Sequence, residues 1–429
     1  MQDNNFGCDG SLEKKYRVSE LIEQGVLVIG DGYRAKNSEL SQTGIPFARA
    51  GNINDGFSFD RADYFPLENL HKVGEKVSQV GDVVFTSKGT VGRFAYVTEK
   101  VPKFVYSPQL CFWRSKNQNV IQSRYLYYWM QSKEFLQQMN AVKSQTDMAD
   151  YVSLSDQRKM YITVPSLTKQ RAISHVLGSL DDKIELNRRM NETLEQMAMA
   201  LYKHWFVDFG PFQDGEFVES EVGMIPVNWE LRSLYSLANF INGMAFKQKD
   251  LNDQKEGLPV IKISELNADS PKSAKYYAGP YHDKYFLNTG DVLFSWSASL
   301  DIYLWSHGPA LLNQHIFNVK SNGAFNEKTL YFILKSVIDE FKNIAASRAT
   351  TMGHIKKEHL EAKLIPYPPE GHREEIESKL ANYFDLILSY LIEINALKET
   401  RDYLLPRLLS GEIEVREAEE QVEEVLANV

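Results

Sequence analysis

Two kinds of hydrophobic pattern alternate along the chain, and each occurs twice. In the first kind, β-branched and aromatic runs such as DVVFTS, VYSPQLCFW, DVLFSW and HIFNV are separated by Gly, Pro, Asn and Asp turns. Helical stretches such as SRYLYYWMQSKEFLQQM lie between these runs. The second kind is a long helical pattern with few breakers, which follows Pro165 in one half and Pro368 in the other. The pattern predicts a compact α+β domain followed by a long helix, twice over.

Both long helical patterns carry an apolar seam whose spacing alternates between four and three residues, which is typical of a coiled coil. The first seam comprises Ile173, Leu177, Leu180, Ile184, Asn187, Asn191, Leu194, Ala198, Leu201 and Trp205. The second comprises Ile376, Leu380, Tyr383, Ile387, Tyr390, Ile394, Leu397, Arg401, Leu404 and Leu408. We expect the two helices to pack as an antiparallel pair about a pseudo-twofold axis, with Asn187 and Asn191 fixing the register. The alternative is two unrelated amphipathic helices, each lying on its own domain.

The two halves also match in sequence order. IPFARAGNI at 45–53 aligns with LPVIKISEL at 258–266, and GDVVFTSKGTVG at 81–92 aligns with GDVLFSWSASLD at 290–301. LYYWMQS at 126–132 matches LYFILKS at 330–336, and YITVPS at 161–166 matches LIPYPP at 364–369. This internal repeat predicts domains at 1–165 and 210–369, helical spacers at 166–209 and 370–415, and an acidic tail at 416–429. A seam of roughly 33 residues would be about 50 Å long, which exceeds one turn of duplex DNA at about 34 Å.

Composition and charge narrow the class of protein without identifying it. The chain has 429 residues, 43% of them hydrophobic and 24% charged, which is ordinary globular usage. We expect a cytoplasmic protein, because no run resembles a signal peptide or a membrane span and the two cysteines, Cys8 and Cys111, fit a reducing compartment. The net charge is −9, but residues 412–429 contain seven acidic residues and one basic residue, so the rest is near neutral. Charge therefore leaves a nucleic-acid partner open.

Motifs for several enzyme classes are missing from the sequence. There is no Gly-Lys dipeptide for a Walker A loop, no G-x-G-x-x-G and no G-x-S-x-G. The nine histidines show neither H-x-x-x-H nor H-E-x-x-H spacing, and YPPE at 367–370 has the wrong flanks for an adenine methyltransferase loop. We therefore expect no catalytic residues and no metal site in this chain.

Residues 164–212, VPSLTKQRAISHVLGSLDDKIELNRRMNETLEQMAMALYKHWFVDFGPF, closely resemble the central conserved region of specificity subunits of type I restriction-modification enzymes. The segments GMIPVNWELRSL at 223–234 and LLPRLLSGEIEV at 404–415 agree with this resemblance. It implies an α+β fold in which two target recognition domains are joined by two long antiparallel coiled-coil helices. The first helix begins at Val164-Pro165-Ser166-Leu167, which departs from the family's usual Pro-Pro-Leu entry.

The resemblance also implies a function and a set of partners. Each recognition domain would read one half of a split duplex DNA site, and the helices would set the unread spacer and dock methyltransferase subunits. S-adenosylmethionine would come with the methyltransferase subunits, and ATP and Mg²⁺ with the restriction subunits. The chain itself would be a non-catalytic specificity factor.

Loop residues whose side chains can bond base edges or phosphates are the candidate DNA contacts. In the first domain they are Arg34, Lys36, Ser87, Lys88, Thr90, Arg93, Gln109, Lys143, Gln145 and Thr146. Their approximate partners in the second domain are Lys247, Ser295, Ser297, Ser299, Gln314, His315, Arg348, Thr350 and Thr351. For any one of them a solvated loop side chain is the plainer interpretation. Gln109 and Gln314 align, which favours a structural hydrogen bond at least as much as a base contact.

Two groups of aromatic residues allow more than one role, and two other functions are compatible with the sequence. Tyr125, Tyr127, Tyr128 and Trp129 could stack on bases, but their helical spacing favours the core. Trp205 and Phe206 suit equally a docking patch for the methyltransferase or the core of the second domain. The rival functions are a protein-interaction scaffold with duplicated binding domains, and an enzyme whose site is assembled from both halves.

Overall fold

The computed structural model describes residues 13–54, 56–60, 62–142, 144–145, 150–268, 270–347 and 353–428. Its first half contains four short helices, α1–α4, at Val18–Glu23, Ser123–Trp129, Lys133–Val142 and Leu154–Gln157. Strands β1–β11 are Lys14–Arg17, Leu27–Asp31, Ile45–Ala48, Tyr64–Phe65, Val83–Thr86, Phe94–Tyr96, Val105–Tyr106, Leu110–Ser115, Ser144–Gln145, Asp150–Tyr151 and Tyr161–Val164.

The long helix α5, Leu167–Phe206, follows the first half and leads into the second. Strands β12–β23 are Phe217–Ser220, Gly223–Pro226, Glu230–Ser233, Ala238–Asn242, Leu258–Ile261, Tyr276–Tyr277, Phe286–Leu287, Val292–Ser295, Asp301–Leu304, Ala310–Leu312, Ile316–Ser321 and Leu364–Tyr367. Helices α6–α10 are Ile263–Asn267, Glu327–Ala346, Lys357–Ala362, Glu370–Ser410 and Val415–Asn428.

The main sheets of the two α+β domains have the same strand order, which confirms the internal repeat, although in the described residues the smaller sheet has three strands in the first domain and four in the second. A four-stranded antiparallel sheet has the order β2-β8-β5-β6 in the first domain and β15-β22-β19-β20 in the second. A smaller sheet contains one parallel pair, β3 with β7 or β16 with β21. The first and last strands of each domain also pair, β1 with β11 and β14 with β23. The four sequence matches lie in equivalent strands and helices.

Continuous apolar runs become the central strands of each domain. All four residues of β5 and all six of β8 are buried, as expected for strands covered on both faces. Helix α2 covers this sheet with Tyr125, Tyr128 and Trp129, each at most 3% exposed, which confirms that these three aromatic residues belong to the core, while Tyr127 is half-buried. The predicted helical stretch after residue 123 is two helices, because the chain turns at 130–132 and the Ser132 hydroxyl accepts the Phe135 N–H at the start of α3.

The chain forms two compact units, and each contains one α+β domain and one end of both long helices. Unit 1 consists of the described residues up to Asp182 and from Lys398 onward, and unit 2 runs from Lys183 to Leu397. Within both units most of the predicted seam is buried, with Leu177, Leu180, Leu397 and Leu404 fully covered, whereas Leu201, Tyr383, Tyr390 and Arg401 are half-buried. Every described helix falls short of the length or the apolar character that a bilayer span requires.

The ends of α5 and α9 run antiparallel within each unit. In unit 1, Asp181 of α5 accepts a bond from Arg401 of α9 at 3.0 Å, and Lys169 lies against Gly411 just after α9. In unit 2, Lys183 binds Glu393 at 3.0 Å, while the Lys379 ammonium lies 5.5 Å from the centre of the Trp205 ring. Residue numbers rise along α5 as they fall along α9, which confirms the predicted antiparallel direction.

The acidic tail is helical where the structure describes it. Its glutamates are exposed, as their charge predicts, but Ala418 and Val422 are buried at a spacing of four residues. One face of α10 is therefore covered, and only the opposite face is solvated.

Candidate nucleic-acid interface

A buried aspartate follows a glycine turn at the start of the central strand of the first domain. Gly81 has a φ of 91°, in the left-handed region that favours glycine, and Asp82 follows it directly before β5 and is fully buried. The carboxylate accepts bonds from the Gln79 N–H at 2.8 Å, the Tyr106 hydroxyl at 2.5 Å and Arg114 at 2.6 and 2.8 Å. Burial and the Asp82 charge raise the pKa of Tyr106 well above its usual value, so the phenol stays a donor. These bonds fix β5 against β8.

The second domain has a weaker version of the same cluster. Asp291 follows an equivalent glycine turn and accepts the Asn288 N–H at 3.1 Å, the Asn318 amide at 2.9 Å and Lys320 at 2.5 Å. Strand register makes Lys320 of β22 the equivalent of Arg114 of β8. Lys320 is 34% exposed, so water solvates part of its charge.

The loop after β5 is held by backbone bonds to two other segments. The Ser87 N–H donates to the Gln109 carbonyl at 2.9 Å, and the Val152 N–H donates to the Ser87 carbonyl at 2.9 Å. Lys88 and Tyr151 form an isolated antiparallel β-bridge through their backbones. Residues from positions 87, 109 and 151 therefore meet at one end of the sheet.

The second domain repeats this backbone arrangement bond for bond. The Trp296 N–H donates to the His315 carbonyl at 3.3 Å, and the Ile355 N–H donates to the Trp296 carbonyl at 2.9 Å. Ser297 forms the isolated bridge with His354. The same loop scaffold thus carries different side chains in the two domains.

The register corrects one pairing made from the sequence. Leu110 lies opposite Thr86 and Ile316 lies opposite Ser295, so His315 is the equivalent of Gln109. The internal repeat in the sequence aligns Gln109 with Gln314, one residue away. The glutamine at 314, next to the equivalent position 315, favours the wrong alignment, because only strand pairing determines the register.

Arg93 and Gln109 both stabilise the short 3₁₀ turn at Ala50–Ile53. The Gln109 side-chain carbonyl accepts the Ala50 N–H at 3.2 Å, and Arg93 donates to the Asn54 side chain at 2.5 Å. The Gln109 side chain is exposed, and its Nε2 has no hydrogen-bond partner in the described part of the chain. Gln109 thus combines a structural bond with an available donor.

Trp296, His315 and His354 form an aromatic cluster at the loop of the second domain. The Trp296 ring centre lies 4.9 Å from that of His315 and 5.8 Å from that of His354. The two imidazoles are nearly parallel at 6.5 Å. Both Nδ1 atoms are buried, and neither has a hydrogen-bond partner in the described part of the chain.

The predicted contact residues differ in their exposure. Eight have exposed side chains, namely Arg34, Lys36, Lys88, Thr90, Gln109, Lys247, Ser299 and Gln314. Arg93 and His315 are half-buried, and Ser87, Ser295 and Ser297 are at most 5% exposed. The three buried serines contribute to the loops: the Ser295 hydroxyl, for example, donates to the Ser297 carbonyl. DNA contact remains a prediction for all of them.

Five of the predicted residues, and the side chain of a sixth, fall outside the part of the chain that the structure describes. Lys143, Thr146, Arg348, Thr350 and Thr351 lie outside the described residues, as does the side chain of Gln145. Lys36 and Lys247 each precede an equivalent 3₁₀ turn, which agrees with their pairing in the sequence comparison.

The sequence analysis missed Tyr151, Trp296 and His354. Tyr151 is 38% exposed, and burial of part of its ring raises its pKa. The signal available in the sequence was the run SWSAS at 295–299, in which an indole occupies the place of Ser87. Tyr151 and His354 join the loops only through long-range pairing, which leaves no local pattern.

An ion pair attaches each domain to its long helix at an equivalent place. Arg124 of α2 donates to Asp182 of α5 at 2.7 and 3.0 Å and to the Gly178 carbonyl at 3.0 Å. In unit 2, Lys328 of α7 binds Asp385 of α9 at 2.5 Å. Burial opposes the charge of Arg124, but its bonds to Asp182 outweigh that effect and raise its pKa.

Replacing Arg124 by alanine should lower the free energy of unfolding of unit 1 by about 1–2 kcal/mol, because three hydrogen bonds to one guanidinium are lost. Lys328→Ala should cost less than about 1 kcal/mol, because a single exposed ion pair is weak. Hydrogen exchange of the α2 and α7 amides measures both losses. An effect of Lys328→Ala as large as that of Arg124→Ala would contradict the assignment.

Trp205 and Phe206 belong to the core of unit 2. They are 5% and 2% exposed, and their rings contact Phe212, Trp229 and Phe325 edge to face. This finding decides between the two alternatives left open by the sequence. Within the described residues, acidic, histidine and cysteine side chains do not gather in groups of three that could hold a metal ion.

Comparison with known proteins agrees with this architecture. The protein-family model of the type I restriction modification DNA specificity domain matches residues 14–196 and 226–398 of this chain. The MjaIX specificity subunit of Methanocaldococcus jannaschii is 26% identical over 79% of this chain and 78% of its own length. The HindI specificity subunit of Haemophilus influenzae is 22% identical over 86% of this chain and 94% of its own length.

A solved structure shares the fold. The S subunit of a type I restriction-modification system from M. genitalium aligns with a TM-score of 0.50 and 15% identity, over 95% of this chain and 97% of that one. With two matched domains, the class of protein is a duplicated DNA specificity protein. The chain belongs to the family of type I restriction-modification specificity subunits.

Proposed function

We propose that each α+β domain reads one half of a split duplex DNA site and that the paired helices set the unread spacer between the halves. The observation that carries this proposal is the loop scaffold, which is the same in both domains yet presents different side chains. Two domains that read different half-sites require this combination of a common fold and divergent contacts. The partners of such a subunit are duplex DNA and the methyltransferase and restriction subunits of the same enzyme.

The chemistry, in this proposal, belongs to the partners. The methyltransferase subunits dock on the long helices and bring S-adenosylmethionine, and the restriction subunits bring ATP and Mg²⁺. This chain supplies no catalytic group. We place it in the cytoplasm, because the DNA that it would address lies there.

Single-molecule sequencing of methylated adenines tests the proposal. DNA from cells that make this chain with its methyltransferase subunit should carry a new split motif with a fixed spacer, and the motif should vanish when this chain is omitted. Unchanged methylation with the methyltransferase present and bound would favour a protein-interaction scaffold. Methylation by the pure chain with cofactor alone would establish an enzyme instead.

A further inference from the structure

In each domain a glycine packs directly against the backbone of the segment before position 109 or 315. Any larger residue at this glycine would force that backbone to move. A Cβ on Gly32 would lie 1.9 Å from the Ser107 carbonyl oxygen, and a Cβ on Gly243 would lie 2.1 Å from that of Asn313. Each glycine therefore allows a strand end to contact the loop that carries position 109 or 315. Rigid elements position recognition groups more precisely than free loops do.

Side chains vary where this backbone is constant. In the first domain Lys88 and Gln109 are exposed and Tyr151 is 38% exposed. In the second domain the equivalent residues are Ser297, His315 and His354, and Ser297 is buried. We call 88/297, 109/315 and 151/354 the reading positions.

The first set consists mainly of hydrogen-bond donors. Lys88 has an ammonium group with no acceptor function, and the Gln109 side-chain oxygen already accepts the Ala50 N–H, while its Nε2 is a donor. Guanine presents two acceptors, N7 and O6, in the major groove, and lysine is a common partner for them. The second set contains no lysine, and its two imidazoles lie beside the Trp296 ring.

We propose that the reading positions determine the half-site specificity of each domain, and that Lys88 and Gln109 read the acceptor edge of a guanine in the first half-site. This inference rests on the proposed function and adds the residues and the base class. His315 and His354 then determine the base at the corresponding place in the second half-site.

The test uses the complex of the full chain with its methyltransferase subunit on duplex DNA with randomised half-sites, read by sequencing of methylated adenines. Lys88→Ala and Gln109→Glu should each reduce discrimination for guanine at one position of the first half-site by about 5- to 150-fold, with the second half-site unchanged. Gln109→Glu retains the oxygen that accepts the Ala50 N–H, removes the donor and adds a negative charge, so the readout is base preference and not overall methylation. His315→Gln should alter the second half-site alone.

Matched controls are Lys100→Ala, Gln24→Glu and His282→Gln, exposed residues of the same types away from the loops, which should leave both half-sites unchanged. Weaker methylation of all sequences by Lys88→Ala, with unaltered base preference, would identify a phosphate contact and overturn the inference. Retention of the wild-type motif by all three variants would also overturn it. The absence of any split motif with the unsubstituted chain would instead reject the proposed function.

A reduction of methylation for both half-sites together by Gln109→Glu would reflect either a disturbed loop or repulsion between the new carboxylate and the DNA phosphates. Gln109→His introduces the residue type found at the equivalent position 315 of the second domain. This variant then tests whether position 109 determines base preference. A changed base preference confined to the first half-site supports the inference, and an unchanged preference rejects it.

Discussion

Replacing Arg114 by leucine should lower the free energy of unfolding of unit 1 by about 3–5 kcal/mol, because removing one partner of a buried ion pair leaves an uncompensated charge. Arg114 is 3% exposed and Asp82 is fully buried. The carboxylate would retain only the Gln79 N–H and the Tyr106 hydroxyl. Hydrogen exchange of the β5 and β8 amides, or urea unfolding, measures the loss.

Lys320→Leu is the matched variant in the second domain, on the same rung of the equivalent sheet. It should lower the free energy of unfolding by only about 1–2 kcal/mol, because water already reaches the lysine, whereas Arg114 is buried; each aspartate retains two other donors. Equal losses in the two units would show that burial does not set the strength of this ion pair.

Replacing Asn191 by leucine should have the opposite sign and raise the free energy of unfolding by about 1–3 kcal/mol, because an unpaired buried amide is costly. Asn191 is 9% exposed, and neither of its side-chain polar atoms has a partner in the described part of the chain. Leucine suits the neighbouring seam position, since Leu194 and Ile184 are also buried there. Thermal unfolding of the full chain measures the gain.

Asn395→Leu is the control, on the other long helix of the same unit. The Asn395 amide donates to the Ser306 hydroxyl at 2.9 Å and to its carbonyl at 3.2 Å. Its replacement should therefore lower stability by about 0.5–1.5 kcal/mol. A loss of stability with Asn191→Leu as well would mean that the Asn191 amide has a favourable partner. Buried asparagines would then serve stability rather than only the choice of register.

The sequence determined the features that repeat at fixed spacing. The heptad seams predict α5 and α9, the paired Gly-Asp turns predict the starts of β5 and β19, and the helical spacing of Tyr125, Tyr128 and Trp129 predicts a core face. Each of these signals is local, because side-chain direction follows from the period of the helix or strand. The tail's net charge was also evident, although its buried Ala418 face was not.

Only the tertiary structure decided which loop residues meet and which of them reach solvent. Ser87 and Lys88 are neighbours in sequence. Ser87 is buried, and its backbone bonds to the distant residues 109 and 152, whereas Lys88 is exposed. The equivalence of Gln109 and His315 depends on strand register, and Tyr151 and His354 join the site from distant segments. Pairing between remote strands sets these positions, and no local spacing encodes it.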